Sequence, residues 1–338
     1  MAPEATPTSS PPLTDQHGRR ISYLRLSITD RCNFRCVYCM AENMQFMPRD
    51  ELLSVDEMVT VAASFVHLGV RKIRLTGGEP LAHPAIVSLV AELSALPGLD
   101  ELAMTTNGSQ LSQLAPALKV NGLSRLNISL DSLQPDRFKA LTRTGRLRDV
   151  LDGIQAAKAA GFQRIKLNSV ILRGRNDDEV VDLVRFARQH ELDIAFIEEM
   201  PLGVIDEHDR AATFMPSADI LARVNETYPL TASIENSGGP ARYHRMADST
   251  TRVGVISPHS HNFCGSCNRV RLTASGQLML CLGNEDAVDL RTILRAHPGQ
   301  QEPIRQAITE AMTRKPERHH FRLDAPPQII RFMNATGG

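Results

Sequence analysis

No excess of charge marks this chain. Its 38 lysine and arginine residues are balanced by 38 aspartate and glutamate residues, so no overall field draws it to nucleic acid or to an anionic membrane. A bound anion has to be held by a local group of Arg and Lys. No apolar run reaches the ~20 residues a membrane-spanning helix needs, and no secretory signal precedes the first motif. A cytoplasmic protein, with neither membrane nor nucleic acid as partner, is expected. Two familiar nucleotide cradles are also missing: there is no G-x4-G-K-[ST] loop, and no G-x-G-x-x-G follows a strand pattern. Any triphosphate would therefore rest on side chains. Tryptophan is absent, but 42% hydrophobic and 22% charged residues over 338 positions is a globular composition, long enough for one large domain with a smaller one appended.

Cysteine is scarce, and its placement is uneven. Cys32, Cys36 and Cys39 form one group of three; Cys264, Cys267 and Cys281 form the other. Six thiols could make three disulfides, but clustered thiols in a cytosolic enzyme more often bind metal than cross-link.

Residues 1–18 are rich in Pro, Ser and Thr and read as a flexible arm. From Ile21 onward, strand and helix patterns alternate. Strands are expected at 21–29, 71–76, 101–106, 124–130, 164–171 and 193–199. Helices are expected at 54–67, 84–95, 110–119, 147–160 and 177–189, with a short helix at 135–142 in the fourth crossover. This order implies an α/β fold with a parallel sheet and helices outside. Six units are too few for a full eightfold barrel, so residues 19–205 predict an open, partial (β/α)6 barrel. After Pro201 the pattern changes, with a break near 202–215, a helix near 216–227, short strands and the second cysteine group. Residues 206–313 read as a smaller C-terminal domain, and 314–338 as a tail ending in Gly337-Gly338.

The strands of the first part alternate rather than running apolar throughout. Leu24, Leu26 and Ile28 alternate with Arg25, Ser27 and Thr29; Ile73 and Leu75 with Lys72, Arg74 and Thr76; Leu126, Ile128 and Leu130 with Asn127, Ser129 and Asp131; Ile165 and Leu167 with Lys166 and Asn168. Successive side chains point to opposite faces. One face packs on helices; the other is polar and partly cationic. A solvent-facing antiparallel sheet would read the same way, but helical crossovers favour a polar ligand chamber lined by strands. Arg25, Arg74 and Lys166 on that face suit phosphate, Arg as a planar fork and Lys as a compact charge.

The spacing C-x3-C-x2-C in "CNFRCVYC", directly after the first strand, lies at the ligand-binding end of a parallel barrel. Zinc fingers usually present two separated pairs of ligands, whereas this run gives three thiolates and no nearby His. Iron–sulfur clusters accept Cys thiolates, four being usual. Three leave one iron of a [4Fe–4S] cluster open to a substrate or cofactor; structural zinc with a distant fourth ligand is the alternative. The second group is spaced C-x2-C-x13-C. Within it, Ala274-Ser275-Gly276 reads as a hairpin turn, and folding about Ser275 sets Cys281 opposite Arg269, two residues from Cys267. Arg269 and Arg271 share a strand face. A zinc ribbon completed by His259 or His261 is the alternative here.

"RCNFRCVYC" resembles the signature of the radical S-adenosylmethionine superfamily. The resemblance implies that the amino and carboxylate groups of S-adenosylmethionine take the fourth place on a cluster held by Cys32, Cys36 and Cys39. One electron from the reduced cluster then breaks the C–S bond and leaves a 5′-deoxyadenosyl radical. "LTGGEP" is similar to the motif that receives the methionine amino group and puts Gly78 at the cofactor; Tyr38, Ser129 in "NISLDS" and Met200 in "FIEEMPLG" match further cofactor positions. With a second triad followed by N-R-V-R, the chain resembles the molybdenum-cofactor biosynthesis protein A family, the GTP 3′,8-cyclases, over residues 15–338. The family implies two [4Fe–4S] clusters with GTP between them, its base at the open iron of the cluster on Cys264, Cys267 and Cys281. Arg25, Arg74, Thr105, Lys166 and Arg269-Val270-Arg271 correspond to GTP-contacting positions. The radical removes the ribose 3′ hydrogen, the carbon radical attacks C8, and reduction gives (8S)-3′,8-cyclo-7,8-dihydroguanosine 5′-triphosphate, the first step of molybdenum cofactor synthesis. A separate cyclic pyranopterin monophosphate synthase acts next. The family tail reaches into the active site, which makes Gly337 and Gly338 expected participants in the reaction. One departure is Ala195, where many members carry Arg. The expected assembly is a monomer or homodimer served by an unnamed reductant.

Two rival readings differ in class. One is a radical enzyme that modifies a peptide and uses its second cluster as an auxiliary site; the Arg pair and the cationic strand face favour a nucleotide instead. The other is a non-catalytic metal-binding or electron-transfer protein, which would need neither "TGGEP" nor a polar chamber.

Overall fold

In the computed structural model, which describes residues 12–205, 207–323, 325 and 328–337, the alternation becomes β1 (Tyr23–Ser27), α1 (Val55–His67), β2 (Lys72–Thr76), α2 (Ile86–Ser94), β3 (Glu101–Thr106), α3 (Leu111–Val120), β4 (Arg125–Ser129), α4 (Pro135–Thr142), α5 (Leu147–Ala159), β5 (Ile165–Val170), α6 (Val180–Gln189) and β6 (Asp193–Ile197). The six strands lie side by side in chain order, each parallel to the next. This is the partial (β/α)6 barrel the sequence predicts, including the short helix in the fourth crossover.

Local chemistry explains the elements. α1 starts at a capping box in which Ser54 Oγ accepts from Glu57 N–H and the Glu57 carboxylate accepts from Ser54 N–H. α6 buries Val180, Leu183, Val184 and Ala187, the i, i+3, i+4, i+7 stripe of a helix with one apolar face. Leu24, Leu26, Ile73, Leu75, Leu126, Ile128, Ile165 and Leu167 are all buried in one continuous core. Each contributes about 1.5–3 kcal/mol relative to exposure, and together they commit the opposite strand face to the chamber.

The second part of the chain departs from expectation. Its elements are α7 (Arg210–Thr213), α8 (Ser217–Thr227), β7 (Thr231–Ala232), β8 (Arg242–Met246), β9 (Ser249–Ile256), β10 (Arg269–Leu272), β11 (Gln277–Met279), β12 (Ala287–Asp289), α9 (Leu290–Ala296), α10 (Glu302–Met312) and α11 (Met333–Thr336). They build no sheet of their own. β10 pairs parallel with β1 and β9 pairs parallel with β6, giving one twelve-stranded sheet in the order β12-β11-β10-β1-β2-β3-β4-β5-β6-β9-β8-β7. The physical reason is the open barrel itself. β1 and β6 would be edges with unpaired N–H and C=O groups, and the later strands satisfy both.

The chain ends are also packed. Residues 12–18 are not a flexible arm: Leu13 and Asp15 are buried, Leu13 N–H donates to Leu68 O at 3.1 Å, and Thr14 bridges to Arg20. Proline- and serine-rich composition says little about one buried leucine. The rest of the expected arm, 1–11, lies outside the described residues. In the tail, Lys315, Asn334 and Thr336 are buried, and Leu202 bridges to Ile329. No helix among the described residues is long and apolar enough to cross a membrane.

Candidate active site: two adjoining chambers

The first chamber lies beyond the C-terminal end of β1. Cys32, Cys36, Cys39, Tyr38, Gly78, Ser129 and Met200 all line it, as does Thr105. Its floor is fixed by two loops in close contact. A Cβ on Gly77 would sit 2.2 Å from Thr29 O, and one on Gly78 would sit 2.2 Å from Arg31 O. The paired glycines therefore let the "TGGEP" turn meet the cysteine loop backbone to backbone; Gly78 N–H donates to Thr29 O and Glu79 N–H to Arg31 O, both at 2.8 Å. The cysteine loop is pinned from the other side by α4, through Arg35 N–H to Thr142 O and Val37 N–H to Leu141 O.

Two buried carboxyls, absent from the expected site, hold this chamber in shape. Glu79 accepts from Thr106 Oγ1 (2.6 Å), Asn107 N–H (2.6 Å) and Leu81 N–H (2.9 Å). Asp131 accepts from Tyr38 Oη (2.6 Å) and Val170 N–H (2.8 Å). Burial raises both, Glu79 to about 7 and Asp131 to about 6, despite these hydrogen bonds. Both stand inside motifs quoted above, each a lone carboxyl two or three residues past the C-terminal end of a strand. Burial also pushes Cys32 and Cys39 to about 12 and Cys36 well above the usual thiol value. These thiols keep their protons until a metal competes for them. None of the six cysteines is in a disulfide.

The second chamber is lined by Arg25, Arg74, Lys166, Arg269, Val270 and Arg271, with Cys264, Cys267 and Cys281 along one wall. Strand register explains the clustering. Arg25 is aligned with Arg271 on β10 and Arg74 on β2; one pleat back, Tyr23 is aligned with Arg269 and Lys72. Two rows of basic residues, interrupted by one phenol, thus cross three strands on one face. Lys166 joins them from β5, in register with Asn127. Burial first, then neighbouring arginines, lowers Lys166 to about 7; burial lowers Arg25 to about 10 and Arg271 well below the usual guanidinium value. Burial alone would raise the Tyr23 phenol, but Arg74, Arg25 and Lys72 together outweigh it and bring Tyr23 down to about 7. Arg74 Nε donates to Tyr23 Oη at 2.5 Å, and Arg74 Nη1 reaches Thr105 Oγ1 at 3.4 Å. Tyr23 and Lys72 were not among the expected contacts, although both sit two residues from an expected one on the same strand face. Like charges gathered under burial mark a seat for an anion.

The distal hairpin has the expected register, and Cys264, Cys267 and Cys281 line one chamber. Arg271 pairs with Met279, and continuing that register sets Cys281 across from Arg269. Burial raises Cys267, but Arg269 and Lys315 outweigh it and bring the thiol to about 7; burial leaves Cys264 raised. The histidine that borders this chamber is His319, not His259 or His261. His259 is engaged with Glu199 O at 2.9 Å, and His261 is exposed. Among the described residues, no three His, Cys, Asp or Glu side chains converge on a point that would hold one metal ion. Three cysteine thiols line each chamber, and thiolate is the donor that iron–sulfur clusters accept.

The two chambers share Asn168, Ile197 and Met200 in their walls. Their volumes are similar, about 1050 and 1090 Å³ including the open mouths, so each has room for a nucleoside-sized ligand. The tail sits at the seam. Met333 lines the first chamber. Gly337, at φ +73°, is packed so tightly that a Cβ would lie 2.2 Å from Thr76 Oγ1. Arg271 Nη1 donates to the carbonyls of Thr336 (3.2 Å) and Gly337. Gly338 lies outside the described residues. Ala195 is buried between Asn168 and Gly254 in register and lines neither chamber.

Residues 26–187 match the model of the radical SAM superfamily, and residues 192–321 match that of Molybdenum Cofactor Synthesis C. Among solved structures, Streptococcus suis SuiB bound to S-adenosylmethionine shares the fold, with a TM-score of 0.62 and 13% identity over 95% of this chain and 79% of that one. Among curated relatives, the GTP 3′,8-cyclases of Pseudomonas entomophila and Pseudomonas putida are each 62% identical over 96% of this chain and 98% of theirs. GTP 3′,8-cyclase 2 of Pseudomonas aeruginosa is 57% identical over the same shares. The chain belongs to the GTP 3′,8-cyclase family, within the radical SAM superfamily.

Proposed function

We propose that this chain cyclises GTP to (8S)-3′,8-cyclo-7,8-dihydroguanosine 5′-triphosphate, using S-adenosylmethionine and two iron–sulfur clusters. The observation that carries the reading is the cationic chamber with a cysteine triad in its wall, sharing three wall residues with a second chamber that holds the other triad. Cys32, Cys36 and Cys39 hold one cluster and Cys264, Cys267 and Cys281 the other. When bound, the first cluster and S-adenosylmethionine supply the radical chemistry. The chain's own residues position and shield. Tyr38, fixed on Asp131, and the Gly78, Ser129 and Met200 positions seat the cofactor. Arg25, Lys72, Arg74, Lys166, Arg269 and Arg271 receive the triphosphate and neutralise its charge, and Thr105 braces Arg74 from the cofactor side. Residues 19–205 serve as the radical-generating domain and 206–313 as the auxiliary-cluster domain.

Anaerobic incubation of reconstituted protein with GTP, S-adenosylmethionine and a reductant tests this. GTP should accelerate 5′-deoxyadenosine formation and be consumed; cleavage indifferent to GTP would count against the substrate. Metal content tests the two sites separately. About eight irons and eight sulfides per chain are expected after reconstitution, and zinc retained stoichiometrically at the distal triad would remove the second cluster from the account.

The chamber also predicts a proton linkage. Burial and the neighbouring arginines bring Lys166 to about 7, so it is mostly neutral at pH 8, and an incoming triphosphate favours its charged form. Tyr23 shifts the same way, because added negative charge disfavours the phenolate. Binding of GTP at pH 8 should therefore take up protons, about one of them at Lys166. Calorimetry in buffers of different ionisation enthalpy measures this directly. Lys166→Met should reduce the uptake; uptake unchanged by that substitution would contradict the assignment.

A further inference from the structure

Three cations from the chain ends close on the distal cysteines from behind. Arg19, nearly buried, donates Nη1 to Cys264 O (2.9 Å) and Glu317 O (2.7 Å), and pairs with Asp15 at 2.6 Å. Arg331 donates Nη2 to Leu282 O (2.8 Å) and Asn284 O (2.6 Å), with Cys281 O at 3.5 Å. Both secure carbonyl groups. Lys315 does something different. It is 1% exposed, and its Nζ donates to Arg269 O (2.9 Å) and Leu280 O (2.5 Å) and reaches Cys267 Sγ at 3.8 Å. An ammonium has three donors and no acceptor, and these three atoms occupy all of them. A buried ammonium is costly unless a counter-charge meets it. The acidic group it meets at that distance is the Cys267 thiol. One carbonyl belongs to β10 and the other to Leu280, the residue directly after β11, so the charge is fixed in place rather than free to swing away.

We propose that Lys315 is a positioning residue for the cluster on Cys264, Cys267 and Cys281: its fixed positive charge beside Cys267 stabilises the reduced, more negative form of that cluster and holds its reduction potential up. The proposal rests on the two-cluster reading above. Its physical basis is that an electron added to the cluster adds one negative charge a few ångströms from a buried cation, where screening is weak, and charge and hydrogen bonds at the sulfurs set cluster potentials.

The test uses the full-length chain with Cys32, Cys36 and Cys39 changed to Ala, so that the distal site alone loads iron. Its midpoint potential is read by redox titration monitored by electron paramagnetic resonance. Lys315→Met should lower the potential by at least a tenfold change in the oxidised-to-reduced ratio, ~59 mV for one electron. Lys315→Gln keeps an N–H for the carbonyls without the charge and should fall in the same direction; it carries the comparison if the Met variant loads poorly. Lys315→Arg should stay close to the parent. Full iron with no shift in Met or Gln, or an equal fall in Arg, would overturn the proposal alone. A parent that binds no iron would remove the two-cluster reading and this proposal with it.

Discussion

Changing Cys36 to Ala should abolish the reductive cleavage of S-adenosylmethionine, while changing Cys281 to Ala should leave cleavage running but yield no cyclised nucleotide. The two triads line different chambers, so the losses separate. Cys36 stands among the residues that line the cofactor chamber with Tyr38, Gly78 and Ser129, and two thiols alone cannot hold the cluster that generates the radical. Cys281 lies across the wall, among the cations of the other chamber. Without it the radical would still form, but the nucleotide would not be held for attack. Chromatography of 5′-deoxyadenosine and of the nucleotide pool measures both. Equal loss of cleavage in the two variants, with secondary structure intact, would refute the division of labour.

Gly337→Ala should reduce formation of the cyclised product by about tenfold to a hundredfold while sparing iron content and GTP binding. The added Cβ would lie 2.2 Å from Thr76 Oγ1 and 2.7 Å from Gly77 N, at a φ of +73°. Overpacking of that kind costs about 1–3 kcal/mol, and each 1.36 kcal/mol is a factor of about ten. The tail would leave the seam and release Arg271, which now grips the carbonyls of Thr336 and Gly337. Turnover at the parent rate would show that docking of the tail is dispensable. A parallel loss of iron would assign it to folding instead.

The parallel barrel was legible because its signal is local. Alternation in Leu24, Arg25 and Leu26 and in Ile73, Arg74 and Leu75 states which face is apolar, and the structure puts those leucines and isoleucines in the core and the arginines in the chamber. The distal hairpin was legible for the same reason, since Ser275 fixes its centre. Pairing between distant segments was not. Nothing in "RVRL" says that β10 will lie against β1 and bring Arg271 alongside Arg25, and a separate C-terminal domain was the natural reading. The supporting residues were hidden by the same limit. Glu79 and Asp131 stand in recognisable motifs, but their burial depends on the whole barrel. Lys315 lies in a stretch without period and reads as a surface lysine until α10 and the hairpin enclose it. Packing adds a second reason for the paired glycines of "TGGEP", because they are small enough to let two loops touch.

Deuterium at the 3′ carbon of GTP tests the central claim most directly. Reconstituted protein, given this substrate with S-adenosylmethionine and a reductant under anaerobic conditions, should produce 5′-deoxyadenosine carrying one deuterium, seen by mass spectrometry as a gain of about one mass unit, together with a cyclised triphosphate that has lost the label. Unlabelled 5′-deoxyadenosine from labelled GTP, formed while the nucleotide is being consumed, would contradict the account.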